Sequence, residues 1–516
     1  MVSLNVSPLN SDRFGGLLIG TLFLAVVFVP LATIDIPPLV DYPNHLARQY
    51  ILERLPRSEA LRQFYVADWH ATPYLAMDAV VQTLARVMSV GTAAKVYVAL
   101  MLCLLAFAPL ALNLALYGRV TWAALGGLLF VHNMTVSLGF VPYVFSLGYG
   151  LCLLALWIRF REGAVWLRLA AFPALATSLA FCHLIGFAIY GLTVAAYEFG
   201  QHFDSILQDR SRRKFHFDHA QRINLGSLML QAGIPLSVFL FFGPSSETAS
   251  AISETTYGGI GRKFELLAGA MQYLIPPYNW SIDRVAALAL PVAVIVLLAA
   301  RKLEYSRRMF WPLGAVVAAY FAMPMQWLGG WGGDHRLLPA IGLLIAGGLR
   351  PVAPAWRGWW LILPAIVALL VVRSAAITVE WRRADREAAD FVRSLDAIAD
   401  GSNVYYAFGH EGGRNSWLRP KYFLPCLAVA TRDVYVPYLF TAEVIRGLPL
   451  RYRAEFAALQ KRSPGSILTN RRSPDWESIR DAYDYFILGD ERYFDEPVPA
   501  TLVPVHVGNR FKIYRR

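Results

Sequence analysis

The sequence predicts a polytopic α-helical membrane protein with a small α/β domain after its last span, and three observations carry that reading. The chain of 516 residues is 56 % hydrophobic and only 16 % charged, with a mean hydropathy of +0.42, whereas a soluble domain is about one-quarter charged. Apolar runs of nearly 20 residues recur as far as Thr378, the length that crosses the ~30 Å hydrocarbon core of a bilayer. Beyond Thr378 the runs stop, and 21 basic and 18 acidic residues follow. Disordered, collagen-like, coiled-coil and water-soluble multidomain readings are excluded.

The first run, residues 14–34, follows Arg13 and is succeeded by no small-residue cleavage site, so it reads as an uncleaved helix with its N-terminus in the cytoplasm. Further runs cover 94–117, 121–139, 142–158, 165–199, 226–243, 285–300, 309–328, 337–349 and 359–378. Arg159, Arg161 and Arg168 precede or open the 165–199 run, and Arg210, Arg212, Arg213, Lys214 and Arg222 follow it. Basic loops belong on the cytoplasmic side, so this run must cross twice, breaking near Cys182-His183. The expected count is then eleven spans, with Arg119, the two clusters above, Arg301-Lys302, Arg307-Arg308, Arg350 and Arg357 all inside. The net charge of +12 is thereby a topology signal rather than a basic face for nucleic acid, and no nucleic-acid partner is expected.

This topology places residues 35–91, 244–283 and 329–336, and everything after 378, on the outer face. Two domains are expected: a transmembrane domain over 1–378 and an extracytoplasmic α/β domain over 379–516. The first loop shows helical periodicity at 45–52 and 74–90, which predicts interfacial amphipathic helices lying on the membrane. In the last part, 380–400 reads as a charged amphipathic helix, and 404–408, 483–488, 502–507 and 511–514 as strands, with a turn at Gly508-Asn509. Cys103, Cys152 and Cys182 fall within apolar runs and Cys426 stands alone in the polar part, so neither a disulfide framework nor zinc spacing exists. Walker, nucleophile-elbow and dinucleotide fingerprints are absent from the sequence.

Three groups of residues could carry chemistry. The segment from Asp35 through Asp41, His45 and Arg48 directly follows the first span. Asp41 is placed to cap a helix starting near Pro43. Equally, Asp41, His45 and Arg48 lie at spacings of four and three, on one helical face, where a carboxylate could act as general base or hold a cation beside a phosphate. The second group, Gly329-Gly-Trp331-Gly-Gly-Asp334-His335-Arg336, reads either as a turn with an interfacial tryptophan or as an anion site at the head of a helix. The third is Asn133, Ser137, Tyr143 and His183, polar groups within apolar runs that either join helices or line a cavity. His410, Glu411 and Arg414 form a further polar turn, read as a solvated loop or a substrate-contacting rim.

At these residues the chain resembles the GT-C superfamily of bacterial integral-membrane glycosyltransferases that use polyprenyl-phosphate sugar donors. The match lies in the layout: a cytoplasmic N-terminus, an acidic residue soon after the first helix, about eleven spans and a C-terminal outer domain. The resemblance implies that Asp41, with Asp35 as substitute, is the catalytic base, or that Asp41 is the metal ligand where a divalent metal such as Mg or Mn is used. It implies a donor phosphate held by His335 and Arg336, with His45, Arg48, Asp334, His183, Asn133 and Tyr143 as substrate-binding candidates. The expected activity is sugar transfer with inversion to a glycan, lipid or protein acceptor, on the outer face of the cytoplasmic membrane. The alternative is a transporter or flippase for a lipid-linked or amphipathic substrate, which inverted repeats would accompany; none is visible in the sequence.

Overall fold

The computed structural model describes residues 11–208, 218–242, 255–273, 281–327, 330–352, 359–409, 420–445, 447–463 and 473–516. The long helices are α1 (Ser11–Ala32), α2 (Tyr42–Arg54), α3 (Leu75–Leu84), α4 (Val90–Tyr117), α5 (Val141–Phe160), α6 (Phe172–Ala180), α7 (Leu184–Gln208), α8 (His219–Phe242), α9 (Ile260–Ala268), α10 (Ser281–Ala299), α11 (Phe310–Ala322), α12 (Leu337–Gly348) and α13 (Trp359–Ser394). Among the described residues, five stretches are long and apolar enough to cross a membrane: Val90–Tyr117, Val141–Phe160, His219–Phe242, Ser281–Ala299 and Leu361–Ala397. The protein is a polytopic membrane protein.

Helices α4 and α5 form the heart of the bundle. Gly148 permits their contact: a Cβ there would stand 2.7 Å from the Leu104 and Leu105 backbone, the small-residue approach typical of membrane helices. The 165–199 run is indeed two helices, α6 and α7, separated at Phe181, Cys182 and His183. The basic residues 210–214 and Arg357 lie outside the described residues.

Three expectations need correction. Residues 121–139 form no continuous helix but short turns, Trp122–Leu125, Gly126–Phe130 and Met134–Ser137. A glycine pair at 126–127 weakens helix propagation, and Asn133 starts a new turn by accepting from the Thr135 N–H at 2.8 Å. The passage nonetheless runs the length of α4, from Thr121, whose N–H bonds Asn113, back to Ser137 and Leu138 beside Asp41. Next, α2 is not an interfacial helix: Asn44, His45, Ala47, Arg48, Gln49, Ile51 and Leu52 are all buried. Finally, the amphipathic helix expected at 380–400 is the continuation of α13, which runs unbroken through position 378.

The burial of α2 follows from its neighbours. One core cluster joins Ala47, Ile51 and Leu52 to Val404–Phe408 and to Tyr485, Phe486, Ile487 and Leu488, so the first loop builds the core of the C-terminal part. A short antiparallel ladder of Tyr65–Ala67 with Leu450–Tyr452 ties the two further. The C-terminal part holds a four-stranded sheet of β1 (Val404–Phe408), β2 (Tyr485–Gly489), β3 (Val503–Val507) and β4 (Phe511–Arg515), in the order β1-β2-β4-β3. β1 and β2 are parallel, and β4 is antiparallel to both β2 and β3. Leu39 and Tyr42 belong instead to the bundle core, so Asp41 lies where the two cores meet.

Candidate active site

The backbone of Asp41 is fixed before its side chain is considered. The Val40 and Asp41 N–H groups donate to the Ser137 and Leu138 carbonyls at 3.0 and 3.1 Å. The turn that offers these carbonyls is held by Asn133, whose Oδ1 accepts from the Thr135 N–H and hydroxyl and whose amide donates to Phe130 O at 2.7 Å. Gly139 ends that turn at φ +80°, and a Cβ on it would stand 2.6 Å from the Asp41 nitrogen. Only glycine permits both the left-handed backbone and the approach.

Asp41 occupies the N-cap position of α2, yet its side chain makes no capping bond. The described residues give its carboxylate neither a hydrogen bond nor an ion pair. Burial pushes the carboxyl up to about 8, against the pull of Arg336. A carboxylate that is not committed to structure, with its affinity for protons raised into the working range, has the properties of a general base.

Arg336 is the complementary group. It ends the Asp334–Arg336 turn and occupies the N-cap position of α12, with its guanidinium over the Phe140 ring at 4.6 Å and the Tyr143 ring at 5.6 Å. Its Nε is buried without a partner, and among the described residues the guanidinium has no ion pair. Burial lowers its pKa, while Tyr74, Tyr143 and Asp41 favour its charge. Tyr143 donates its hydroxyl to the Arg336 carbonyl, fixing the backbone from which the side chain projects. His183, at the α6–α7 break, stands edge-on to Tyr74 and Tyr143 with ring centroids 5.5 and 5.6 Å away, and its Nδ1 accepts from the Ile185 N–H. Asp41, Arg336, Tyr74, Tyr143 and His183 thus surround one region.

The other candidates are committed elsewhere. Arg48 forms a buried pair with Asp78 at 2.7 Å, reinforced by Gln49, which donates to the same carboxylate at 2.5 Å. His45 hydrogen-bonds the Gly139 backbone, and burial, then Arg48, push its pKa down to about 3, so it is neutral; its Nδ1 has no partner. Asp334 pairs with Arg262 and with Lys263, and accepts from His335 at 2.9 Å. Its burial is outweighed by the His335 and Arg262 hydrogen bonds, which hold its carboxyl well below the usual range. His335 is lowered by burial despite Asp334 and lies against Trp331 at 4.9 Å. Asp35 is exposed, and its backbone N–H is anchored on Asp385 of α13. Gly329 and the turn of His410, Glu411 and Arg414 lie outside the described residues.

A divalent cation does not fit this set. Among the described residues Asp41 is the carboxylate within the field of Arg336, Asp334 is occupied by three basic groups, and Arg336 already supplies positive charge there. No group of three His, Cys, Asp or Glu gathers among the described residues.

Tyr74 was not singled out by sequence reasoning, which placed it only at the start of a periodic stretch. The Arg373–Asp283 pair was also missed, although a lone arginine in the apolar 359–378 run is a signal in itself.

No protein-family model matches the chain, and no curated protein sequence matches it. Among solved structures, the apo crystal structure of ArnT from Cupriavidus metallidurans aligns over 98 % of this chain and 98 % of that one, with TM-score 0.53 and 14 % identity. The structure of the same ArnT bound to undecaprenyl phosphate aligns over 96 % and 97 %, with TM-score 0.50 and 13 % identity. At such identity the likeness is one of fold, extending over nearly the whole of both chains.

Proposed function

We propose, from that shared fold, that the chain is an inverting membrane glycosyltransferase of the bacterial cytoplasmic membrane, taking a sugar from a polyprenyl-phosphate donor. The observation that carries this reading is the pair of an Asp41 carboxylate and an Arg336 guanidinium, each without an ion-pair partner among the described residues and each within the other's field. The fold adds support, since ArnT was crystallised with undecaprenyl phosphate.

In this reading the donor phosphate binds the Arg336 guanidinium, which can offer two parallel N–H bonds. Asp41 takes the proton from an acceptor hydroxyl as that oxygen bonds to the anomeric carbon. The bond from this carbon to the phosphate oxygen breaks on the opposite side, and polyprenyl phosphate leaves with its new charge held by Arg336. Attack and departure on opposite faces give inversion. No metal is required, and turnover is expected to survive EDTA.

The accompanying topology has eleven passages, the N-terminus in the cytoplasm, and the 379–516 domain outside with the first loop folded into it. The acceptor is a glycan, lipid or protein on that outer side. The test is incubation of purified protein with short-chain polyprenyl-phosphate sugars, measuring release of polyprenyl phosphate. Release that Asp41→Asn abolishes supports the reading; absence of release with every common sugar sinks it.

A further inference from the structure

The C-terminal sheet offers a second site. β1 and β2 run parallel, and just past the carboxyl end of β2, at Gly489, lies a groove of about 530 Å³, a size usual for small-molecule sites. The crevice outside the carboxyl ends of parallel strands is where open α/β sheets characteristically bind ligands, because the chain leaves the sheet there and exposes backbone and turn residues. One wall is the turn after β2, entered through Asp490 at φ 51°, a left-handed conformation uncommon outside glycine. The other is the β3–β4 hairpin turn at Gly508 and Asn509, with Phe511.

The lining has four cations, Lys421, Arg492, Arg510 and Lys512, against two carboxylates. Lys421 pairs with Asp490, Lys512 with Glu491 at 2.8 Å, and Arg510 with Glu387 at 2.9 Å. Arg492 lies on the Tyr493 ring at 4.8 Å and has no acidic partner among the described residues. Glu491 uses Oε2 for Lys512 and the Tyr514 hydroxyl, while its buried Oε1 has no partner. Surplus guanidinium, a spare carboxylate oxygen and an aromatic face match a ligand that has an anionic group, hydroxyl donors and a flat apolar face. An acidic saccharide has all three.

We propose that this groove binds an acidic saccharide, its carboxylate or phosphate on Arg492 and Arg510, a hydroxyl on Glu491 and a ring face on Phe511. Its place suggests which saccharide. Lys421 lines the groove, and the Pro420–Cys426 helix that carries it packs on α2, the helix that Asp41 opens. That the saccharide belongs to the acceptor rests on the glycosyltransferase reading; that the groove binds it does not.

The experiment is titration of the detergent-purified full chain with tri-galacturonate and glucose 1-phosphate, with maltotriose as neutral control. At least one acidic probe is expected to bind tenfold or more tightly than maltotriose. Arg492→Ala combined with Arg510→Ala, both at exposed positions, is expected to weaken that binding at least tenfold at an unchanged melting temperature. Equal binding by this variant and the parent, equal binding of maltotriose, or binding of no probe overturns the proposal. Asp41→Asn separates the two readings. Intact probe binding with turnover lost supports both, whereas intact probe binding with normal turnover leaves the groove and removes the general base.

Discussion

Two arginines of this protein meet burial in opposite ways. Arg373, only 2 % exposed, donates from Nε to Asp283 at 2.7 Å, and from its terminal nitrogens to the carbonyls of Leu129 at 3.1 Å, Met271 at 2.6 Å and His132. It joins α13 to the broken 121–139 passage and to the head of α10. Arg336 has aromatic faces and an orphaned Nε instead. Taking a guanidinium out of water costs several kcal/mol unless charge and hydrogen bonds replace the water. Arg373 is compensated by the protein itself, whereas Arg336 has only aromatic faces among the described residues, and the proposed donor phosphate would supply the missing compensation. The same contrast separates Asp78, gripped by Arg48 and Gln49, from Asp41. Residue type alone distinguishes neither pair; the satisfied bonds do, and with them burial, which is complete at Arg373 and Asp78 and partial at Arg336 and Asp41.

The widest expected difference is in stability. Asp283→Asn leaves Arg373 buried with its counter-charge removed, and breaking a buried pair in this way costs about 3–5 kcal/mol. Arg336→Ala removes no described ion pair and is expected to change stability by less than about 1 kcal/mol. Thermal unfolding of both variants in the same detergent checks the contrast; equal losses would erase it.

Activity should show the reverse. Asp41→Asn is expected to lower kcat by about a hundredfold or more, the scale of a missing general base. Because the Asp41 pKa in the folded protein is raised to about 8 from 3.8, the native state binds more protons than the unfolded chain between those values. Asp41 therefore costs stability as pH rises through that window, and Asn in its place should melt no lower than the parent at pH 7. In the parent, kcat/KM should rise about tenfold per pH unit below about pH 8 and level off above it, since the base must be ionised. A flat profile between pH 6 and 8 would detach the proton transfer from Asp41.

How much of this was legible in the sequence follows the same division between local and long-range causes. The strands at 404–408 and 511–514 and the break at Cys182-His183 were readable, because alternation and charge placement are local properties. Asp41 and Arg336 were singled out by their positions in loops that the charge pattern assigns to the outer face, and the fold brings them into one another's field. Of the failures, one is a place where a distant partner decides and the other a place where local helix breakers do. The periodicity of α2 suggested a surface helix, but His45 and Arg48 face Gly139 and Asp78, and Ile51 packs beneath a sheet more than 350 residues later in the chain. The 121–139 run was apolar enough to span, but its glycine pair and Asn133 divide it into turns. That division produces the carbonyls on which Asp41 rests.

A smaller change sharpens the role of Arg336. Arg336→Lys keeps a positive charge but loses the fork that binds phosphate bidentately, so donor affinity should fall about tenfold with melting temperature unchanged. An arginine serving only to anchor the helix end would accept lysine without loss. Binding of a short-chain polyprenyl phosphate to the two proteins, measured by titration, decides between them.

The smallest effect is expected at Asn133, which touches neither Asp41 nor Arg336 yet holds the turn behind both. Its amide oxygen caps the Met134–Ser137 turn and its amide nitrogen bonds Phe130. Asn133→Ala should cost about 1 kcal/mol, as the loss of an N-cap does. It should also slow turnover severalfold, because the Ser137 and Leu138 carbonyls that fix Val40 and Asp41 become less well placed. Asn133→Asp retains the accepting oxygen and loses only the bond to Phe130, so it should recover most of the cap and most of the rate. A positioning role predicts that kcat falls in Asn133→Ala while the kinetic pKa near 8 stays where it is, since the burial and the Arg336 field that set it are unchanged. If the kinetic pKa drops towards the ordinary carboxylate range along with the rate, the turn does more than hold the backbone: it keeps water from Asp41.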